Sequence, residues 1–356
     1  MARKLYSGLK FLSFPEHLAA LREDRVAAPV HIRIKPFNHC NHDCWYCAYR
    51  VSNLQLGAEM NEKDVLPEAK MHEIADDIIE MGVRAVTFSG GGEPLLYKPL
   101  PDILKKLAQG GIKVASLTNG SNLKGKVADA FAAHASWVRV SVDAWNDASY
   151  AEARQIKDGA FSELIRNLRA FSERRSSCVL GISFIVTSSN YMHIPEACAL
   201  FKDAGVNHVS LSGVVVSNDG AENNRYHQPY HDQIMEIIRA TAERLNDDGF
   251  SIVNNYHDLD DRFEKSYTRC HYLQFRPVIG ADSKVYTCHD KAFNSAGLLG
   301  DISQQSFKSF WFSEENKARM AAVNPSLHCL HHCVAHSHNQ LLDDYLSIDP
   351  SHGDFV

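Results

Sequence analysis

The stretch Cys40-Asn41-His42-Asp43-Cys44-Trp45-Tyr46-Cys47 places three cysteines in a C-x3-C-x2-C array directly after an apolar segment. Thiolates at this spacing can close over one metal centre, but an iron–sulfur cube or a tetrahedral zinc site needs four ligands. The fourth position is either filled from elsewhere in the chain or open to a substrate or cofactor. The array therefore predicts a metal centre that is one local ligand short.

The composition fits a globular protein that is larger than one typical core. The chain has 356 residues, of which 45% are apolar, so we expect one large domain plus a smaller one. A formal net charge of −6 argues against a general nucleic-acid binder, which needs a basic face. No apolar stretch reaches the roughly 20 residues of a membrane helix, and the N-terminal residues do not resemble a secretory signal. We therefore expect a cytoplasmic protein with neither nucleic-acid nor membrane partners.

Nine cysteines in a reducing compartment are better explained as metal ligands than as disulfides. Seven of them form two groups. The first group is the array, and the second consists of Cys270, Cys288, Cys329 and Cys333. Cys178 and Cys198 stand apart, and we expect both to be ordinary core residues.

From residue 30 onward, strand-like and helix-like patterns alternate. Six strands are predicted, at residues 30–34, 83–88, 112–117, 137–144, 179–186 and 208–216. The predicted helices that follow them lie at residues 67–81, 101–109, 123–135, 161–174 and 194–204. This alternation indicates a parallel βα architecture with its functional groups in the loops after the strands. In the fourth strand, Ser141 and Asp143 would face inward, which suggests a ligand cavity.

The alternation ends after residue 217. Beyond it we predict a connecting helix, a hairpin and two short helices, at residues 231–246, 275–279 with 284–287, 305–312 and 314–323. The predicted organisation is an N-terminal helical extension (1–29, with a helix at 15–24), a barrel (30–217), a connecting helical segment (218–262) and a small cysteine-rich α+β domain (263–356).

The array and a second motif together resemble the radical SAM superfamily. Tyr46 precedes the last cysteine as in that family's cluster motif, and Gly91-Gly92-Glu93-Pro94 matches its glycine-glycine-glutamate motif. The resemblance covers about residues 30–216 and implies a partial (β/α)6 barrel of the TIM type. It also implies a [4Fe-4S] cluster on Cys40, Cys44 and Cys47, whose fourth iron chelates S-adenosylmethionine (SAM). The alternative for the array, a zinc knuckle completed by His42, leaves the glycine-rich turn without a role.

The resemblance implies SAM contacts in the loops after several strands. Gly91 and Gly92 would let the backbone approach the methionine amino group, and Arg154 is similar to an arginine that meets the SAM carboxylate. The other implied positions are Tyr46, Glu93, Asn119, Ser141, Asp143 and Asn190. A turn residue for Asn119, a surface charge for Arg154 and a helix cap for Asn190 explain these residues equally well.

The C-terminal cysteines resemble the auxiliary-cluster domains called SPASM and Twitch. Four cysteines, rather than the seven of the full SPASM pattern, favour one auxiliary [4Fe-4S] cluster that transfers electrons. A structural zinc site is the alternative for the same four residues. Neighbouring histidines could also replace a ligand of the pair Cys329 and Cys333, namely His328, His331 or His332.

The resemblance implies reductive cleavage of SAM to a 5′-deoxyadenosyl radical, with an electron from a flavodoxin- or ferredoxin-type donor. An auxiliary cluster favours two-electron oxidation, and Cys270-x17-Cys288 is similar to the spacing in a Twitch-class aminocyclitol dehydrogenase. We therefore expect a small polar substrate, such as a sugar or cyclitol alcohol. His289 and Asp290 are candidate acid–base residues, although partners of the cluster or exposed side chains explain them as well. The alternatives, in order, are a maturase of the sactipeptide or sulfatase type that modifies a peptide, an epimerase, and a zinc-stabilised binding protein.

Overall fold

The computed structural model describes residues 7–50, 54, 56–256, 262–352 and 355. The strands in this part of the chain are β1 His31–Ile34, β2 Ala85–Phe88, β3 Lys113–Thr118, β4 Ala135–Ser141, β5 Val179–Val186, β6 His208–Gly213, β7 Ser251–Asn254, β8 Val278–Ile279, β9 Lys284–Tyr286 and β10 Leu298–Asp301. They form a single sheet in the order β10-β9-β8-β1-β2-β3-β4-β5-β6-β7.

The helices lie mainly in the connections between the strands. They are α1 Pro15–Arg22, α2 Glu68–Glu80, α3 Leu100–Gln109, α4 Gly125–His134, α5 Asp147–Arg154, α6 Ala160–Ser172, α7 Ile194–Asp203, α8 Gly220–His227, α9 His231–Leu245, α10 Phe307–Trp311, α11 Glu314–Ala321, α12 Pro325–His328 and α13 His336–Ser347. None of the described helices is long and apolar enough to cross a membrane.

Strands β1 to β6 pair in sequence order, and every one of these pairs is parallel. The predicted partial (β/α)6 barrel is therefore confirmed. A seventh parallel strand, β7, pairs with β6 inside the segment that was predicted to be a helical connector. The four-residue length of β7 and its single buried side chain, Ile252, explain why its pattern was missed.

The predicted hairpin is confirmed, since β8 and β9 pair in antiparallel fashion. It does not form a separate layer. Strand β8 pairs in parallel with β1, with Arg33 opposite Val278, so the C-terminal segment continues the sheet of the barrel. Because β8 runs parallel to β1 and β9 antiparallel to β8, the chain before β8 and the chain after β9 both lie toward the amino end of β1.

The core lies between the sheet and its helices. On β4, Val138 and Val140 are fully buried on the helix side, while Ser141 lies on the opposite, inner face. Cys178 and Cys198 are buried in the same apolar core, as predicted.

The N-terminal extension packs on the C-terminal helix α13. Neither this helix nor this contact was predicted from the sequence. Phe11, Leu18, Phe275 and Leu342 form a small apolar cluster there. The predicted helix at 15–24 ends at Arg22, whose guanidinium lies 4.4 Å from the centre of the Tyr345 ring. Some residues of the predicted extension, connector and C-terminal domain lie outside the described residues, namely 1–6, 257–261, 353, 354 and 356.

Candidate active site

The three cysteines of the array lie in the loop that follows β1. Within this loop the Cys47 N–H donates to the carbonyl of Cys44 at 3.0 Å. The Asp43 N–H donates to the carbonyl of Arg154 at 3.0 Å, so the loop is fixed to the end of α5. All three thiols are half-buried, and burial raises the pKa of Cys40 to about 11.

Two side-chain donors point at these sulfurs. Arg154 Nη1 lies 3.3 Å from Cys44 Sγ, and Asn119 Nδ2 lies 3.9 Å from Cys40 Sγ. Donors to sulfur favour the thiolate form, which is the form that binds a metal. Two of the three sulfurs in this loop therefore have a side-chain N–H donor beside them.

The glycine-rich turn after β2 packs directly on the chain that leads to Cys40. A Cβ atom on Gly92 would lie 2.1 Å from the carbonyl oxygen of His39, and one on Gly91 would lie 2.7 Å from Asn38 Oδ1. The Gly92 N–H donates to the carbonyl of Phe37 at 3.1 Å. Glycine is needed at position 92 because two backbones meet there, and at position 91 because side chains fill the space of a Cβ atom. The approach of this turn to the SAM amino group stays a prediction.

Glu93 joins the ends of β2 and β3 through a buried carboxylate. Its Oε1 accepts from Thr118 Oγ1 at 2.5 Å and from the Leu95 N–H at 2.9 Å, and its Oε2 accepts from the Asn119 N–H at 2.7 Å. Burial raises the pKa of Glu93, while these donors lower it. The Asn119 side chain donates to Asn41 Oδ1, which places it beside the cysteine array. Its Oδ1 also accepts from the Ser121 N–H and closes a turn, so the interpretation of Asn119 as a turn residue holds as well.

A second buried network forms around Asp143, just beyond β4. Asp143 has φ +58°, a left-handed conformation that aspartate tolerates better than most residues. Its carboxylate accepts from Arg154 Nη2, from the Tyr46 hydroxyl and from the Ile185 N–H, each at 2.5 Å. Burial raises the pKa of Asp143, whereas the charge of Arg154 lowers it. Arg154 is buried, so its interpretation as a surface charge is wrong.

Asn190 belongs to the same network. Its Nδ2 donates to the carbonyls of Asp143 and Ile185, at 3.1 and 2.9 Å, and its Oδ1 accepts from the Thr187 N–H at 2.8 Å. It makes no side-chain bond to the short helical turn after it, so the cap explanation is wrong. Ser141 faces inward nearby but makes no side-chain hydrogen bond to another described residue.

The four C-terminal cysteines converge although they are distant in sequence. Burial raises the pKa of Cys288, and the charges of Cys333, Cys270 and Cys329 raise it further, so the four thiols lie near one another. Cys270 precedes β8, Cys288 follows β9, and the other two lie between α12 and α13.

Two residues that were not predicted support this second group. Asn339 Nδ2 lies 3.5 Å from Cys270 Sγ. Lys265 Nζ donates to three carbonyls, those of Arg262, Phe263 and His331, at 2.5 to 2.7 Å. Burial lowers the pKa of Lys265, while the nearby thiolates, Cys333 first, raise it. A buried cation therefore lies close to these sulfurs.

Within the described ranges, no three His, Cys, Asp or Glu side chains lie close enough together to hold a single metal ion. In a cube each thiolate binds a separate iron, so its ligands stand farther apart than four sulfurs at about 2.3 Å from one zinc ion. His331 is buried, and neither ring nitrogen has a hydrogen-bond partner among the described residues. It stays an alternative ligand.

The half-buried His289 and the buried Asp290 form a pair beside Cys288. His289 Nε2 lies 3.0 Å from Asp290 Oδ1, and Asp290 Oδ2 accepts from the Val334 N–H at 3.3 Å. Burial raises the pKa of Asp290 and lowers that of His289. The interpretation of the two as exposed residues is wrong.

The two cysteine groups lie at opposite ends of β1. The array follows the carboxyl end of this strand, whereas Cys270 and Cys288 flank the β8–β9 hairpin at its amino end. Lys35, which was not predicted, lies between them. Its Nζ donates to the Tyr49 hydroxyl at 2.6 Å and to the Gly90 carbonyl at 2.8 Å. Burial lowers the pKa of Lys35 to about 7, and the thiolates of Cys47 and Cys288 both raise it.

The sequence matches the Radical SAM superfamily over residues 34–186. It is 31% identical over 188 residues to pre-heme d1 synthase of Dinoroseobacter shibae, a match that covers 52% of this chain and 43% of that protein, less than half of its length.

The fold resembles that of Streptococcus suis SuiB bound to its precursor peptide SuiA, with a TM-score of 0.62 and 15% identity over 92% of this chain and 77% of that one. It also resembles anSMEcpe with bound AdoMet and the Kp18Cys peptide, with a TM-score of 0.61 and 15% identity over 89% of this chain and 96% of that one. At this identity the likeness concerns the fold.

The first cysteine group fits the cofactors of the matched family, a [4Fe-4S] cluster and SAM. Three half-buried thiols are available, N–H donors reach two of them, and the glycine turn beside them leaves no room for side chains. Arg154 Nε and Ser89 Oγ are buried without partners in the described part of the chain. The match assigns residues 34–186 of the chain to the radical SAM superfamily, and the chain shares its fold with SuiB.

Proposed function

We propose that this chain is an oxidoreductase that removes two electrons from a small polar substrate, such as a sugar or cyclitol alcohol, inside the barrel. The observation that supports this proposal is the placement of the two cysteine groups at opposite ends of β1, with Lys35 between them. A substrate in this space would lie between the place where a radical starts and a place that can accept an electron.

Cys40, Cys44 and Cys47 would hold the cluster that binds SAM, and the four C-terminal cysteines would hold an auxiliary [4Fe-4S] cluster. When bound, these groups and SAM supply a 5′-deoxyadenosyl radical, which takes a hydrogen atom from a substrate carbon, and an acceptor for the electron that remains. A flavodoxin- or ferredoxin-type protein is the proposed source of the first electron.

The chain's own residues would orient SAM and receive the proton. The unpartnered Nε of Arg154 can donate to the SAM carboxylate, while Asp143 holds the guanidinium in place. For an alcohol, Asp290 or His289 would accept the hydroxyl proton, while the bound groups would supply the acceptors for the hydrogen atom from carbon and for the remaining electron. The hydrogen-bonded pair of His289 and Asp290 next to Cys288 is suited to that proton transfer.

Loss of the second site is expected to separate radical formation from oxidation. In a variant with Cys270→Ala and Cys288→Ala, the yield of oxidised product per 5′-deoxyadenosine should fall by about tenfold or more, because the electron left on the substrate has no acceptor. The measurement is anaerobic incubation with a panel of sugars and cyclitols, with both products quantified by mass spectrometry.

The matched control is Cys198→Ala, which removes a thiol from the apolar core. An unchanged product ratio in the double variant would contradict the role of the second site. A wild-type protein that leaves every small alcohol intact but changes the mass of a precursor peptide would instead establish the maturase alternative.

A further inference from the structure

Strand β1 carries a row of basic side chains on its inner face. Ile32 and Ile34 are fully buried on the helix side of the sheet, so His31, Arg33 and Lys35 all face the interior of the barrel. His31 Nε2 lies 2.8 Å from the Thr87 hydroxyl of the neighbouring strand. The row runs from the amino end of β1 toward the cysteine array.

Besides Arg33 and Lys35, a third cation faces the interior of the barrel. It is Arg276, from the segment just before β8. It stands two residues before Val278, which pairs with Arg33, so it lies one layer below Arg33 on the same inner face. Arg276 lowers the pKa of Arg33, after the larger effect of burial, and Arg33 in turn lowers the pKa of Lys35. Arg33 is therefore close enough to both Arg276 and Lys35 for their charges to repel its own.

These cations lack matching anions. The Arg33 guanidinium makes no hydrogen bond or ion pair with any described residue, and its Nε is buried. Within the same residues, Arg276 has no ion pair and its Nη2 has no partner; its guanidinium lies 5.2 Å from the centre of the Tyr272 ring. Lys35 donates to a phenol and a carbonyl, which are both uncharged.

The carboxylate that feels all three cations is Asp290, which is already engaged by His289 and by the Val334 N–H. One carboxylate cannot offset three cations, and buried like charges are costly unless an anion joins them. Thiolates of the two cysteine groups raise the pKa of Lys35, at the end of the row nearest the cysteine array. The groups that raise the pKa of Arg33 are instead Tyr49 and Asp290. The middle of the row is thus where an additional anion fits best.

We propose that the barrel holds its substrate through an anionic oxygen group, a phosphate or a carboxylate, bound by Arg33, Arg276 and Lys35. This inference rests on the proposed function, since it concerns the substrate of the same cavity. The planar fork of a guanidinium suits two-point binding of either group. An anion at Arg33 would lie roughly 7 Å from the level of Lys35, toward the amino end of β1. The rest of the substrate could then extend toward the cysteine array.

The test is calorimetric titration of the anaerobically reconstituted full chain, with SAM present, at constant ionic strength. The probes are inorganic phosphate, succinate and the neutral polyol myo-inositol. We expect one of the two anions to bind at least about tenfold more tightly than myo-inositol, and the stronger of them identifies the group. Arg33→Gln should weaken that binding by about tenfold, and Arg33→Lys, which keeps the charge but not the fork, by about threefold.

The matched control is Arg239→Gln on the exposed face of α9, where the arginine pairs with Glu236 and Glu243. This variant should bind the anion as tightly as the wild type does. Circular dichroism and iron content show whether each variant is folded and loaded, and Arg276→Gln replaces Arg33→Gln if the latter does not fold. Equal binding of the anions and myo-inositol, or equal anion binding by the wild type and Arg33→Gln, would overturn the proposal.

The same preparations separate this inference from the proposed function. The wild type could bind the anion through Arg33 and yet form no 5′-deoxyadenosine under reducing conditions. That result would overturn the proposed function and support the anion site. Formation of 5′-deoxyadenosine without selective anion binding would overturn the anion site alone.

Discussion

A variant in which Cys40, Cys44 and Cys47 are all replaced by alanine is expected to form 5′-deoxyadenosine at least about 1000-fold more slowly than the wild type. The three thiols are the ligands that the loop after β1 offers, and SAM cleavage needs the electron that a cluster on them supplies. The measurement is chromatographic detection of 5′-deoxyadenosine after anaerobic reduction of the reconstituted proteins.

Cys198→Ala is the control for the loss of a thiol as such, because Cys198 is buried in the apolar core. Its rate should remain within about threefold of the wild-type rate, since a small core substitution changes stability more than the site. Undiminished 5′-deoxyadenosine from the triple variant would show that the array does not hold the cofactor.

Asp143→Ala is expected to lower the free energy of unfolding by about 3–5 kcal/mol. The substitution leaves the buried charge of Arg154 without its carboxylate, and it also removes the acceptor of the Tyr46 hydroxyl and the Ile185 N–H. Arg154 also points at Cys44, so the variant should bind SAM more weakly as well. The measurements are urea unfolding and SAM titration under anaerobic conditions.

The matched control is Asp203→Ala, which breaks the exposed pair of Asp203 with Arg169. Exposed pairs contribute less than about 1 kcal/mol, so this variant should be nearly as stable as the wild type. Equal stability losses for the two aspartate variants would mean that the Asp143 network does not hold the site together.

The barrel could be predicted because its signals are local. Six strands and their helices follow from apolar periodicity and glycine stops, and the parallel pairing of β1 to β6 confirms them. The array and the glycine-rich turn are contiguous motifs, so their proximity followed from the order of the strands. Asp143 and Asn190 were singled out by their positions at strand ends, and they do share one network.

Long-range pairing could not be predicted in the same way. Nothing in the pattern of residues 275–287 shows that the hairpin pairs with β1, because that contact joins segments about 245 residues apart. Arg154 could not be distinguished from a surface charge, since α5 is short and polar and its burial depends on Asp143. The basic alternation of His31, Arg33 and Lys35 was visible in the sequence, and a test for charged residues at period two would have found it.

The central claim is that the chain carries two iron–sulfur sites, one at each end of β1. Iron and sulfide analysis after anaerobic reconstitution tests it most directly. We expect about eight irons per chain in the wild type and about four both in the Cys40/Cys44/Cys47 triple alanine variant and in the Cys270→Ala, Cys288→Ala double variant. About four irons in the wild type, or zinc bound to the C-terminal cysteines, would contradict it.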